Sequence, residues 1–136
     1  MPDIQRTLII LKPDAVKRKL VGEIIRRFEN KGFTIAEMKM MTVPRALAET
    51  HYAEHKGRGF YEELVSFITG GPVVVMALEG PAAVEAARKL VGKTKFTDAE
   101  PGTIRGDFAH DLTANLVHGS DSPESAAREL KLFFGN

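Results

Sequence analysis

Cysteine is absent from the 136 residues of this sequence, and no apolar run approaches the length of a membrane-spanning helix. The lack of cysteine excludes disulfide frameworks and cysteine-ligated zinc sites. A membrane-spanning helix needs roughly 20 apolar residues in succession. The first residues, MPDIQR, also lack the apolar core of a signal peptide. We therefore expect no membrane partner and a reducing compartment, the cytoplasm.

The sequence also has little net charge: its 19 lysines and arginines nearly balance its 18 aspartates and glutamates, which leaves a net charge of +1. Proteins that bind DNA or RNA by electrostatics carry a clear basic excess, so we expect no nucleic-acid partner. A few clustered cations would still suffice for a small anion. The composition, with 43% hydrophobic and 27% charged residues, is ordinary for a globular protein. The length predicts one domain, residues 1–136, with its own core.

Hydrophobic periodicity predicts strands that alternate with helices. The expected strands are 7–11, a stretch within 33–43, 73–78 and 115–117. The expected helices are 20–31, 44–55, 61–69, 82–91 and one that begins at Ser122-Pro123. Residues 92–114 are predicted to form a long polar loop, and such loops are usually functional. The order βαββαβ predicts an α/β ferredoxin-like sandwich, an antiparallel four-stranded sheet with helices packed on it.

One histidine is placed for chemistry in the stretch NLVHGSDS, residues 115–122. His118 lies where the fourth predicted strand ends, just before a helix N-terminus, which favours negative charge. Gly119 lets the backbone approach a ligand closely. Glu129 lies at the margin of the buried face of the last helix, within reach of the strand end. A carboxylate there can hold one imidazole nitrogen and decide which nitrogen is free to attack.

Cationic and hydroxyl side chains near strand ends and in loops are candidates for a phosphate site. Lys12 ends the first strand, Arg88 lies on the predicted helix 82–91, and Thr94 and Arg105 lie in the long loop. Their spacing alone does not show that they converge, and each taken singly is most often a surface residue.

Two short motifs resemble known sites without their context. Gly92-Lys93-Thr94 looks like the end of a Walker A loop, but Ala87 stands where that motif needs glycine, and the stretch follows a helix rather than a strand. Residues 51–55, HYAEH, match the inverted zinc-protease pattern H-x-x-E-H, but no third ligand is indicated. We therefore predict no metal held by the protein alone.

The motifs taken together, and in order, resemble those of the nucleoside diphosphate kinases over nearly the whole chain. The resemblance is carried by NLVHGSDS and by the further stretches RTLIILKPD at 6–14, HYAEH at 51–55, GGPV at 70–73, PGTIRGDF at 101–108 and ESAARE at 124–129. It implies that the γ-phosphate of a nucleoside triphosphate, mainly ATP, passes to a histidine and then to a nucleoside diphosphate.

The resemblance also implies roles for individual residues. His118 would be the nucleophile and Glu129 its orienting partner, with Lys12 and Tyr52 as further catalytic residues. Phe60 would stack on the base without reading its edge, so purine and pyrimidine nucleotides are both expected as substrates. Lys12 and Asn115 would recognise the sugar without needing a 2′-hydroxyl, so ribo- and deoxynucleotides should both be used. Mg²⁺ would arrive on the nucleotide phosphates, and the chain would form a homo-oligomer, a hexamer or a tetramer. The nucleotide contacts that the resemblance implies are Lys12, His55, Phe60, Arg88, Thr94, Arg105 and Asn115, with Ser120 close to the histidine.

The sequence departs from the family pattern at three places outside these residues. Lys95-Phe96 replaces a common Asn-Pro in a loop involved in subunit contacts, which leaves tetramer and hexamer equally open. Gly59 replaces a frequent proline before Phe60, and Phe133 stands where tryptophan is common. Three other functions stay open at this point: a non-catalytic nucleotide-binding ferredoxin-like domain, a histidine phosphocarrier between proteins, and a zinc peptidase.

Overall fold

A four-stranded antiparallel sheet forms the centre of the computed structural model, which describes residues 3–135. The strands lie in the order β2-β3-β1-β4 and pair antiparallel throughout. This confirms the predicted ferredoxin-like sandwich. Among residues 3–135, no helix is long and apolar enough to cross a bilayer. The strands are β1 (Ile4–Leu11), β2 (Thr34–Thr42), β3 (Pro72–Pro81) and β4 (Val117–Gly119).

Seven α-helices connect and cover the strands of the described chain. Two of the long helices have an end that the sequence encodes: the Ser122 hydroxyl accepts the Ser125 N–H at the start of the last helix, and Gly32 ends the second helix in a left-handed conformation. A 3₁₀ turn at Ala53–His55 follows the third helix. The helices are α1 (Pro13–Lys17), α2 (Val21–Lys31), α3 (Arg45–His51), α4 (Tyr61–Ile68), α5 (Ala83–Val91), α6 (Ile104–Phe108) and α7 (Pro123–Phe134).

Each face of the sheet carries its own apolar core, because side chains alternate along a strand. Ile9 of β1 belongs to the core with α2 and α5, which we call the first face. Ile10 of β1 belongs to the core with α3, α4 and α7, the second face. The inner strands β1 and β3 are buried on both sides, which explains their nearly continuous apolar sequences.

The fourth strand begins at Val117 rather than at residue 115, so the predicted boundary was wrong by two residues. Leu116 has a positive φ of 77°, and the N–H of Val117 donates to the carbonyl of Asn115 at 2.9 Å. The backbone turns sharply there before it can pair with β1. His118 consequently lies in the middle of β4 instead of beyond its end.

Two predictions about the connecting segments were also wrong. The long loop 92–114 contains the short helix α6, so Arg105 lies on a helix. The region 44–55 is not one helix, because α3 ends at His51 and a 3₁₀ turn follows. A tighter turn carries residue 55 away from the face that an α-helix would have given it. The two histidines of HYAEH therefore do not share a helix face, which removes the structural basis of the zinc-peptidase alternative.

Candidate active site

A cavity of about 630 Å³ opens where β1 ends and the antiparallel β4 begins, between the α3–α4 connection, the end of α5 and the 92–115 segment. It brings together every site residue that the sequence predicted except Ser120, which lies in the interior behind it. The spacing of these residues along the chain could not show that they converge. The predicted residues in the wall are Lys12, Tyr52, His55, Phe60, Arg88, Thr94, Arg105, Asn115, His118 and Glu129.

The register of β4 decides which way His118 points. His118 pairs directly with Ile10 of β1, so the imidazole projects from the second face, on the side of α3 and α7. Its Nε2 lies 3.0 Å from Oε1 of Glu129, one of the buried residues of α7. About a fifth of the His118 side chain, 21%, remains exposed in the cavity wall. The pair is therefore partly shielded and open to a ligand on one side.

Glu129 is held as a carboxylate by its hydrogen bonds. Burial by itself raises the pKa of Glu129, but the hydrogen bonds and charge of His118 and the Ser120 hydroxyl outweigh it and lower the pKa to about 2. Ser120 Oγ donates to Oε1 at 2.6 Å and accepts the N–H of Leu8 at 3.3 Å. An ionised carboxylate only accepts hydrogen bonds. Nε2 of His118 must then carry the proton, which leaves a lone pair on Nδ1.

Lys12 is a buried cation at the floor of the cavity. Its Nζ donates to Oδ1 of Asn115 at 2.9 Å, and the amide of Asn115 donates in turn to the carbonyl of Leu112 at 2.9 Å. Burial, and next the charge of Arg105, lower the pKa of Lys12 to about 8, although Asp14 opposes the shift. A buried ammonium with one neutral partner is poised to gain an anion.

Arg105 is the most heavily bonded of the predicted cations. Its guanidinium donates to three backbone carbonyls: Asn115 at 3.4 Å, Gly92 at 3.1 Å and Val117 at 2.6 Å. Burial, and next the charge of Arg88, lower its pKa to about 10, so it stays charged at neutral pH. Arg105 thus ties α6 to the end of α5 and to β4, and part of its donor capacity remains for a ligand.

The mouth of the cavity is aromatic. The ring of Phe60 is 45% exposed, and its centroid lies 5.3 Å from that of His55. Tyr52 is buried beside them, with its ring 6.3 Å from His55. Burial, and next the negative charge of Glu129, raise the pKa of Tyr52, so its hydroxyl stays protonated. A flat apolar surface at the mouth and cations at the floor suit a molecule with an aromatic and an anionic end.

His51 is a residue of the site that the sequence singled out only as part of the HYAEH motif. His51 ends α3 and is buried, with a side chain that is 1% exposed, and neither ring nitrogen has a hydrogen-bond partner. Its ring lies edge-on to His118 at 4.7 Å, and its Nδ1 is 4.0 Å from Oε2 of Glu129. Burial, and next the charge of His118, lower its pKa to about 3, against the opposing effect of Glu129. His51 is therefore a neutral imidazole beside the His118–Glu129 pair.

Comparison with known protein families gives one consistent result. A family model described as nucleoside diphosphate kinase matches residues 5–136. The nucleoside diphosphate kinase of Methanocaldococcus jannaschii is 58% identical over 130 residues, which cover 96% of this chain and 93% of that protein. That of Rubrobacter xylanophilus is 58% identical over 132 residues, which cover 97% of this chain and 99% of that protein.

Solved structures of the same family superpose closely. The nucleoside diphosphate kinase of Halobacterium salinarum in complex with CDP gives a TM-score of 0.95 at 46% identity, and the match covers 98% of this chain and 90% of that one. The apo enzyme of Encephalitozoon cuniculi also gives 0.95, at 42% identity, with 97% and 90% covered.

Proposed function

The chain belongs to the nucleoside diphosphate kinase family, and from this premise we propose which of its residues carry out the transfer of a γ-phosphate from a nucleoside triphosphate to a nucleoside diphosphate. The family relationship supports the catalytic reading over the non-catalytic alternative. The observation that carries the residue assignment is the His118–Glu129 pair, which frees one imidazole nitrogen in a cavity with a cationic floor.

The first half-reaction is an attack by His118. The lone pair of Nδ1 forms a bond to the γ-phosphorus while the bond from that phosphorus to the bridging β–γ oxygen breaks, and the nucleoside diphosphate leaves with those electrons. The imidazole, still protonated at Nε2, becomes formally cationic, and the carboxylate of Glu129 stabilises that charge at 3.0 Å. A second nucleoside diphosphate then attacks the phosphohistidine, and Nδ1 recovers its lone pair.

The cations of the cavity supply the electrostatic part of the proposal. We assign the phosphates to Lys12, Arg88 and Arg105, with Thr94 as a hydroxyl donor, because phosphoryl transfer requires charge neutralisation more than covalent chemistry by the protein. The amide of Asn115 would position the sugar and phosphates beside Lys12. Binding of an anion would raise the depressed pKa of Lys12 and relieve the cost of its burial.

Phe60 is assigned to the base. Its exposed ring at the mouth, with His55 beside it, offers a stacking surface that reads no base edge, so purine and pyrimidine nucleotides should both be accepted. The Halobacterium salinarum relative was solved with CDP, and we propose that this chain also takes pyrimidine diphosphates.

Mg²⁺ fits the site as an ion carried by the nucleotide. It prefers oxygen ligands and usually binds through phosphates with one or two carboxylates. Among residues 3–135, the one group of three possible ligands is rich in imidazole nitrogen, which does not suit Mg²⁺. The carboxylates of Glu54 and Asp121 do line the cavity and are candidates to hold the ion or its waters. When bound, Mg²⁺ would neutralise charge on the β- and γ-phosphates.

A homo-oligomer of this chain, acting in the cytoplasm, completes the proposal. Strand β2 lies at an edge of the sheet, and Met38 and Met40 on it are 52% and 61% exposed. They pair with Met76 and Val74 and so continue the apolar first face past the edge. Edge strands with apolar side chains pair readily with another chain. A second copy would cover this edge, whether the assembly is a tetramer or a hexamer.

The decisive experiment is intact-mass measurement after exposure to ATP and Mg²⁺. We expect one acid-labile phosphoryl group per chain, which added GDP or dCDP removes. His118→Gln should abolish it, whereas His110→Gln, at an exposed histidine outside the cavity, should not. A His118→Gln protein that still transfers phosphate at the parent rate would show that the assignment of His118 is wrong.

A further inference from the structure

The imidazole of His51 is buried without a hydrogen-bond partner in the part of the chain that the structure describes. Buried polar atoms normally have partners, because an unsatisfied one costs about 1–3 kcal/mol. This ring lies beside two groups that bind metals well: the imidazole of His118 and the carboxylate of Glu129. One ligand atom from each of the three residues lies within 4.8 Å of the others. We call this cluster the His51 trio.

The spacing of the trio suits a tetrahedral cation. Zn²⁺ binds imidazole nitrogen and carboxylate oxygen at about 2.0–2.2 Å, which places its ligand atoms roughly 3.3 Å apart. In the structure, His118 Nε2 lies 3.0 Å from Glu129 Oε1, and His51 Nδ1 lies 4.0 Å from Glu129 Oε2. These two separations lie on either side of that value, and the ligand atoms of the three residues all lie within 4.8 Å of one another, so side-chain shifts of about 1–2 Å would close the site.

The ligand types select the metal. Two imidazoles and one carboxylate form the His₂Glu set that binds catalytic zinc elsewhere, and imidazole suits Zn²⁺, Cu²⁺ and Ni²⁺ far better than Mg²⁺. Other charges around the trio are Arg128, 3.6 Å from Glu129, and Lys12, whose charge also acts on His51. Both repel a cation, so we expect moderate rather than very tight affinity.

We propose that His51, His118 and Glu129 form an inhibitory binding site for a borderline divalent cation, with Zn²⁺ as its representative, and this rests on the proposed role of His118 as nucleophile. The mechanism is a change of tautomer. A neutral imidazole carries one proton and one lone pair. A cation at Nε2 takes the lone pair there, so the proton moves to Nδ1. The nitrogen that attacks phosphorus then has no free electron pair, and transfer stops.

Zinc binding is tested first without nucleotide, because Zn²⁺ also binds ATP. The nucleotide-free chain is titrated with ZnCl₂ by calorimetry, with the bound metal counted after dialysis. We expect one Zn²⁺ per chain, at least tenfold weaker binding in His51→Phe, and no change in His110→Phe, the same substitution at an exposed histidine outside the cavity. His51→Gln, which keeps polarity without imidazole, replaces His51→Phe if that variant does not fold. Equal affinity in parent and His51 variants overturns the proposal, as does the absence of stoichiometric zinc.

Inhibition is tested separately by the rate of phosphohistidine formation at buffered free Zn²⁺ and saturating Mg²⁺-ATP. We expect the maximal rate to fall at least tenfold with the KM for ATP unchanged, and a His51→Phe protein to keep its own rate under the same zinc. Recovery with more Mg²⁺-ATP would place the zinc on the nucleotide and overturn the proposal, and so would bound zinc without inhibition. Failure of the parent chain to form phosphohistidine without zinc would instead refute the role of His118, while the titration still reports on the metal site.

Discussion

At the scale of single residues, Glu129 is a buried side chain that remains negatively charged. The carboxylate is buried on α7, yet its pKa is lowered to about 2 by the hydrogen bonds from His118 and Ser120, which overcome the effect of burial. A negative charge there stabilises the imidazole most when that ring is cationic, as it becomes in the proposed transfer. The pair therefore favours the transition state over the resting state.

Replacement of Glu129 by glutamine tests this charge. The amide oxygen can still accept a hydrogen bond from His118 Nε2, so the geometry is largely kept while the charge is removed. We expect the rate of phosphohistidine formation to fall roughly a hundredfold, the scale at which preorganised electrostatic partners act. Single-turnover kinetics with ATP would measure it, with the KM for ATP as a control that should change little. An unchanged rate would show that Glu129 serves packing alone.

Lys12 gives a prediction about pH. Its pKa is lowered from 10.5 to about 8, first by burial and then by Arg105. Phosphate binding needs the protonated form, so we expect nucleotide affinity to fall by up to tenfold per pH unit as the pH rises through about 8. Between about 8 and 10.5 the unfolded chain binds more protons than the folded one, so the stability of the free protein should rise over the same window.

The opposite directions of these two trends separate the charge of Lys12 from general alkaline damage. Calorimetric titration with ADP and urea unfolding, each from pH 7 to 10, would measure them. Lys12→Gln should bind ADP more weakly at pH 7 and lose both pH trends. If the variant kept the trend in affinity, another group would be the one that titrates.

Single residues also show where sequence reasoning stops. His118 and Glu129 could be predicted because the motif places them and because a strand end next to a helix brings an acid within reach of an imidazole. The position of His51 could not be predicted, because it depends on tertiary packing. His51 ends α3, and the packing of α3 and α7 on the same face of the sheet brings it beside His118. A histidine at the end of a short amphipathic helix gives no signal of its own that distinguishes packing from chemistry.

At the scale of elements, the short helix α6 is the part of the long loop that shapes the cavity. Thr103 caps it by accepting the N–H of Gly106 at 2.9 Å, and Arg105 projects from it into the wall. The loop above packs against Gly106 so closely that a Cβ there would lie 1.9 Å from the carbonyl oxygen of Glu100. The position of Arg105 thus depends on a glycine next to it.

Two glycine-to-alanine substitutions in helices should therefore act in opposite directions. Gly106→Ala must displace the Glu100 backbone, and we expect it to cost about 2 kcal/mol of unfolding free energy and to weaken ADP binding. Gly22→Ala lies on α2, where a Cβ would meet nothing within 4 Å, and should stabilise by up to about 1 kcal/mol. Urea unfolding of both variants would measure the difference. A Gly106→Ala protein as stable as Gly22→Ala would contradict the tight packing.

Helices and strands can be predicted where they are long enough for their hydrophobic periodicity to be visible. The helices α2, α5 and α7 and the central strand β3 span enough residues for their patterns to be read, and these were found within a few residues. The five-residue helices α1 and α6 were not, because one turn has no period to detect. The local signal for α6 in the sequence is Thr103, whose side chain caps the helix.

At the scale of the whole molecule, the exposed edge of β2 gives a prediction about assembly. A double substitution Met38→Glu and Met40→Glu would place two like charges on the edge that we propose a second copy covers. We expect the assembly to dissociate into smaller species, seen by light scattering after size exclusion, with the monomer fold kept because both side chains are more than half exposed. Ile4→Glu, at a 64% exposed apolar residue on β1 away from that edge, is the control.

An assembly unchanged by the double substitution would show that a different surface joins the subunits.

The fold of the monomer followed from the order of its elements, since a βαββαβ chain has few ways to bury its apolar faces. The convergence of the site did not follow, because a register decides it. One residue of slippage in β4 would turn His118 to the first face, away from α3 and α7.

The pairing of β4 with β1 also sets when the enzyme can become active during its own synthesis. The amide of Leu8 donates to Ser120, 112 residues further along the chain, and β1 is the strand with which the three-residue β4 pairs. Glu129 follows later still, on α7. In the proposed mechanism, His118 is oriented only after both β4 and Glu129 of α7 have been synthesised and packed beside β1. We therefore expect fragments that stop before Glu129 to lack phosphoryl transfer, even where they bind nucleotide.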